Sequence, residues 1–204
     1  MKVGFGTIIK NALILFAITL VAGLALGFVY QMTKEPIAAQ EKAAQDAANK
    51  AVFLQAETFG EADTPEAGQV EALLSDNGIP GVAVQSVRPA LDASGNVLGY
   101  VIQVRSKGYG DFIVFTVGIA NDGTVNGVSI ISINETPGLG MNAEKVIVPQ
   151  FSGKPAATFT VTKQAAASGS EIEAISGATI TSRAMVNGVN AAELVFKNIL
   201  GGGQ

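Results

Sequence analysis

Between Lys10 and Lys34 the chain carries no charge, and from Ala12 to Val29 only Thr19 interrupts an apolar run. As a helix that run rises about 27 Å, and with flanks from Thr7 to Tyr30 it covers the hydrocarbon layer of a bilayer. The pattern predicts one transmembrane helix. A cleaved signal peptide is the competing reading, with Lys2 and Lys10 as its basic leader; the length of the run and the want of a small-x-small cleavage site stand against it. Gly23 and Gly27 would let a neighbouring helix approach closely. Thr33-Lys34-Glu35-Pro36 then reads as a helix start with an early proline, opening a polar helix rich in Ala, Gln, Glu and Lys from Ile37 to Phe53.

Past Thr58 the pattern changes. Thr58 to Gly81 is rich in Gly, Pro, Asp and Glu, with one apolar patch at Val70, Leu73 and Leu74, which predicts irregular structure with room for one short helix. Strand patterns follow at 82–87, 97–105, 112–119 and 125–133, β-branched and aromatic runs separated by turn residues, with a shorter one at Phe159-Thr160-Val161. Ala93-Ser94-Gly95-Asn96 and Asn121-Asp122-Gly123 supply the hairpins, the second favouring a type I′ turn through Asp-Gly. The last pattern is helical: Met185, Val189, Ala192, Phe196 and Ile199 recur at three- and four-residue steps. The class is α+β, an antiparallel sheet with packed helices, preceded by one N-terminal transmembrane helix. The expected organisation is an anchor over 1–31, a helical connector over 32–58 and a folded domain over 59–204.

Composition narrows the chemistry. The 204 residues are 48% hydrophobic with a net charge of −4, which gives no footing for a nucleic-acid partner. Cys and His are both absent. That excludes cysteine-ligated iron–sulfur clusters, thioether-linked haem, disulfides and Ser-His-Asp or Cys-His hydrolysis, so redox work would belong to an organic cofactor. The short basic N-terminus, with Lys2 and Lys10, favours an inside N-terminus and an extracytoplasmic domain.

Two stretches look like sites. Ser176-Gly177-Ala178-Thr179-Ile180-Thr181-Ser182 crowds four hydroxyls ahead of the last helix, whose free N–H groups and positive dipole end suit a phosphate. The plainer alternative is that Thr181 or Ser182 is only the N-cap. Asn134-Glu135-Thr136-Pro137-Gly138-Leu139-Gly140-Met141 predicts a tight loop in which Pro137-Gly138 makes a type II turn and the amides are exposed. Glu135 could disfavour an anionic ring beside it or tie the loop down through backbone N–H groups, and both remain open.

Ser-Gly-Ala-Thr with Ile-Thr-Ser, and Glu-Thr-Pro-Gly-Leu-Gly, together resemble the two signatures of an FMN-binding family. It is shared by the G subunit of the Rnf ferredoxin:NAD oxidoreductase and the C subunit of the sodium-translocating NADH:quinone reductase. Gly108-Tyr109-Gly110 also matches the family's general pattern, which leaves Tyr109 two roles: approach to the cofactor, or, as the commoner case, a buried ring packed on the core. Glu173 stands where the family usually has Asp. The resemblance implies FMN joined through a phosphoester to Thr179 by a dedicated flavin transferase. It implies cofactor contacts from Ser176, Gly177, Ala178, Thr181, Glu135, Thr136, Gly138 and Leu139, with Met141 as further apolar surface and the Gly140 amide as a further edge contact. It further implies a single-pass cell-membrane protein, an extracytoplasmic FMN-binding domain over 59–204, and partners among the membrane and redox subunits of an Rnf-type translocase, with membrane lipid around the anchor. No independent catalysis and no metal are expected of this chain. The alternatives are the quinone-reductase C subunit and a non-redox, membrane-tethered binding or assembly module.

Overall fold

The computed structural model describes residues 4–155 and 157–201. Lys2, counted above in the basic flank, lies outside the described residues. The chain divides into two units, Met1–Ala43 and Ala44–Gln204.

Helix α1 spans Phe5–Val52. Its most apolar window has a mean hydropathy of 2.7 and buries nothing within the protein, so it is long and apolar enough to cross a membrane. Thr19 is accommodated because its hydroxyl donates back to the Leu15 carbonyl at 3.0 Å. The expected helix start at Thr33–Pro36 is absent, and Pro36 lies inside the helix. Thr33 does not cap forward; its hydroxyl donates back to the carbonyl of Val29 at 3.0 Å. The strong helix formers after Pro36 carry the helix through the one missing N–H.

In the second unit, six strands form an antiparallel sheet in simple sequence order: β1 Thr58–Phe59, β2 Val82–Leu91, β3 Val97–Lys107, β4 Phe112–Ala120, β5 Thr124–Ser132 and β6 Lys154–Pro155. Alternation along β4 sorts its two faces. Ile113, Phe115, Val117 and Ile119 are fully buried on one side, joined there by Ile102 and Val104 of β3. On the other side Gly118 admits Val52, whose Cβ would lie 2.8 Å from any side-chain carbon placed there, and Val52, Phe53, Ala56, Ala90 and Val101 make a second small core. Around Gly118 the sheet is therefore covered on both faces, and β4, with β3 from Val97 to Ile102, reads as a nearly continuous apolar run.

Helix α4, Thr179–Asn198, packs along β2, β3 and β4 on the main-core face. Burial extends beyond the expected stripe to Thr181, Ser182, Asn190, Ala191 and Glu193, because α2 (Ala67–Asp76), α3 (Ala143–Val146) and β7 (Thr160–Thr162) cover its outer side. Buried Asn190 is satisfied by Phe159, accepting its N–H and donating to its carbonyl, both at 2.9 Å. Strand β7 pairs in parallel with β8, Glu171–Glu173, a pairing that the period-two pattern did not predict.

The hairpin at Asn121–Gly123 forms where expected but not as type I′. Only glycines have positive φ among the described residues, Gly123 at 83°, and the Gly123 N–H donates to the Ala120 carbonyl at 2.9 Å. Asp122 accepts the Thr124 N–H at 2.8 Å and Asn121 donates to the Val97 carbonyl at 2.6 Å, which holds both out of the left-handed region. The register slips between Gly118 and Ile119 to absorb the extra residue.

Candidate functional site

Two turns of the same kind meet at the start of α4. In the first, the Leu139 N–H donates to the Thr136 carbonyl at 3.1 Å and Gly138 has φ 76°, the type II turn predicted for Pro137-Gly138. In the second, the Ala178 N–H donates to the Ile175 carbonyl at 3.0 Å with Gly177 at φ 76°. The Leu139 side chain lies over Gly177, where a Cβ would meet its Cδ2 at 3.1 Å.

The N-cap of α4 is Ala178, with no side-chain cap. Thr181 and Ser182 are therefore not the cap, because the turn through Gly177 starts the helix at Thr179. Both hydroxyls instead serve as internal ties. Ser182 accepts the Ile175 N–H at 3.0 Å and donates to the Ala178 carbonyl at 2.9 Å, closing the turn from inside. Thr181 donates to Glu135 at 2.8 Å. The N–H groups of Thr179, Ile180 and Thr181 precede the first intrahelical bond, from Ser182 to Ala178, and give that end of the helix its donors.

Glu135 is 6% exposed and joins three segments. One carboxylate oxygen accepts the Gly110 N–H at 3.1 Å and the other accepts the Thr181 hydroxyl. Of the two roles open from the sequence, loop-tying is the one the hydrogen bonds display. Gly140 allows it: a Cβ there would meet Glu135 Cβ at 2.7 Å and Thr181 Oγ1 at 2.8 Å. Glu135→Ala strands the buried Thr181 hydroxyl and removes the acceptor of the Gly110 N–H, and is expected to cost about 1–3 kcal/mol in urea unfolding of the flavin-free chain. Glu135→Gln is expected to cost less than about 1 kcal/mol, since the Thr181 hydroxyl can turn to accept from the amide.

These segments enclose a cleft of about 540 Å³. Seven of the nine residues named from the sequence line it: Thr179, Gly177, Ala178, Thr181, Glu135, Thr136 and Leu139. Ser176 and Gly138 sit in the two turns but do not face it, and neither does Met141. Three residues outside those nine also line it: Gly140 and Tyr109, each with a cofactor contact among its roles in the sequence reading, and Ile180, which had none. Of the two roles open for Tyr109, the core position is not the one it takes: it is exposed at the cleft. Ile180 could have been found as the apolar residue off the buried stripe of α4. No lysine or arginine lines the cleft, so a phosphate there would depend on helix-start N–H groups. A larger cleft of about 680 Å³ between α2 and β2 is mostly aliphatic, with Glu71 as its one charged lining residue.

A family model described as an FMN-binding domain matches residues 108–193, which include every cleft residue, and one described as the RnfG N-terminal region matches residues 1–52. The class is that of FMN-binding domains carried behind an apolar N-terminal helix. The G subunit of the Na(+)-translocating ferredoxin:NAD(+) oxidoreductase complex of Acetobacterium woodii is 33% identical over 206 residues, covering 97% of this chain and 96% of the relative. The G subunit of the ion-translocating oxidoreductase complex of Methanosarcina acetivorans is 32% identical over 190 residues, 91% of this chain and 92% of the relative. The G subunit of the proton-translocating ferredoxin:NAD(+) oxidoreductase complex of Clostridium ljungdahlii is 41% identical over 114 residues, 55% of this chain and 61% of the relative. The chain belongs to the G-subunit family of ion-translocating oxidoreductase complexes. The crystal structure of Shewanella oneidensis NqrC aligns with a TM-score of 0.45 at 20% identity, over 71% of this chain and 70% of that one.

Proposed function

We propose that this chain is the membrane-anchored electron carrier of an Rnf-type complex, holding FMN as a phosphoester on Thr179. The observation that carries the reading is the position of Thr179. It is the first residue of α4, half-buried on the wall of the cleft, beside free N–H groups and at the meeting of two glycine turns.

The residues fit the group. Leu139 and Ile180 give apolar surface for a ring, and the turn amides give donors for its edge. Thr136, Gly138 and Gly140 shape that edge; Ser176, Gly177 and Ala178 shape the phosphate end; Glu135 and Thr181 hold the two together. A cleft without a cation is a poor trap for a free phosphate dianion. A covalent bond removes that demand, which favours the ester over reversible binding. Bound there, the flavin supplies electron transfer at a fixed place on the chain, and a flavin transferase is the partner that installs it.

In such a complex the chain passes electrons on the path between ferredoxin and NAD, with other redox subunits as neighbours. Helix α1 anchors it in lipid, and the domain faces the extracytoplasmic side. The relatives are named for sodium in one case and protons in another, and no charge falls between Lys10 and Lys34 to build an ion path in this chain alone.

The intact mass of the chain purified from membranes tests the reading. The expected value is the unmodified chain plus one FMN less one water, with the added mass mapping to the peptide that holds Thr179. An unmodified mass from cells with proven transferase activity would overturn it.

A further inference from the structure

Tyr109 is the residue the cleft presents without an assigned task. Its side chain is 69% exposed, the largest exposed apolar side chain at the cleft, and it makes no hydrogen bond or ring contact with any described residue. An aromatic ring left in water at a cleft wall gives up burial that a core position would supply.

Loop freedom does not account for the exposure, because the backbone on either side is pinned. The Gly108 N–H donates to the Asp111 carbonyl at 2.9 Å and the Gly110 N–H donates to Glu135. A Cβ on Gly108 would run into the Glu135 carboxylate, and one on Gly110 would meet the Asn134 carbonyl at 2.8 Å. The two glycines thus let the hairpin end press onto buried Glu135, and residue 109, between them, is held in one place at the cleft. Its ring keeps its own rotamer freedom while its Cα does not. Leu139 and Ile180, 39% and 53% exposed, are the other large apolar side chains lining the same cleft.

We propose that Tyr109 stacks on a planar aromatic ring bound in this cleft, as the hinged aromatic member of an apolar set with Leu139 and Ile180. The ligand class is a tricyclic heteroaromatic such as isoalloxazine, so the inference rests on the FMN reading above and adds the residue that covers the ring. Tyr109 is then a binding residue that shields the ring from water. It also places an oxidisable phenol against that ring, where it can lend an electron to the light-excited flavin and take it back with no net change.

The test uses full-length wild type, Tyr109→Ala and Tyr109→Trp, each produced with a flavin transferase and purified in detergent. Each is measured twice: flavin fluorescence of the denatured band in a gel, and flavin emission of the folded protein with its accessibility to iodide. The expected result is three equally bright denatured bands, with folded Tyr109→Ala brighter than wild type and open to iodide quenching that wild type resists. Tyr109→Trp, which both stacks and quenches, is expected to restore the dim, iodide-resistant state. Bright denatured bands with equal folded emission in all three would overturn the role of Tyr109 alone, and loss of co-purifying subunits from Tyr109→Ala in that case would reassign it to a protein contact. Three dark bands would overturn the FMN reading itself and this inference with it.

Discussion

Thr179→Ala, produced beside a flavin transferase and run on a denaturing gel, is expected to give a dark band where the wild type fluoresces. The effect is all-or-none because it removes the oxygen on which the proposed ester would form. The structure sharpens the control. Thr179 is not the N-cap of α4 and its hydroxyl makes no hydrogen bond with a described residue, so alanine there is expected to leave urea stability within about 0.5 kcal/mol of wild type. Unfolding therefore cannot account for a dark band. Thr179→Ser keeps a hydroxyl at the same helical position and is expected to stay fluorescent. A dark wild type, with the transferase proven on a control substrate, would sink the covalent assignment and leave the anchored chain as a binding module.

The second large effect lies at the other end of α4 and concerns pH. Glu193 is only 3% exposed, and one of its carboxylate oxygens has no hydrogen-bond partner. Burial pushes its carboxyl from 4.5 up to about 8, only partly opposed by Lys197, whose ammonium is 4.0 Å away, and by the Ala157 N–H. The folded state therefore holds a proton that the unfolded chain releases between those two values. Stability from this group is complete below about 4.5 and is lost as pH rises toward about 8, with a slope of about 1.4 kcal/mol per pH unit. Glu193→Gln is expected to flatten that slope and to be more stable than wild type at pH 8 by at least about 2 kcal/mol. Thermal melting of both chains at matched pH values from 5 to 8 checks it. Parallel curves for the two would show that Glu193 ionises normally, with water reaching it.

Much of the fold was legible because period-two runs and hairpin residues are local signals. The four long strands fall within a few residues of where β-branched patterns place them, and the meander follows from the turns between them. What escaped depends on tertiary partners. Strands β1 and β6 are two residues each and exist only because β2 and β5 offer free edges, while β7 and β8 pair in parallel across an intervening loop. The helix start at Pro36 failed because proline at a first turn and proline within a strong helix look alike in sequence. At the site, motif resemblance brought together most of the cleft, whereas spacing alone misjudged Thr181 and Ser182. A hydroxyl near a helix start is usually a cap, and here a glycine turn sets the start two residues ahead of Thr181. The sequence leaves Tyr109 between cofactor and core, with the core favoured, for a related reason: it cannot tell which side of a pinned loop a ring will take.

The closure of the Ile175–Ala178 turn by Ser182 bears on how the chain would work among neighbours. Thr179, the proposed attachment residue, follows a turn that is stitched from inside to a helix whose middle residues, Met185, Val189 and Ala192, have no exposure at all. A group fixed to Thr179 therefore inherits the stiffness of the sheet core rather than the wander of a surface loop. Electron tunnelling falls off steeply with separation, so a donor docking at the cleft would find its gap set by that packing and would see little spread in transfer rate from one encounter to the next.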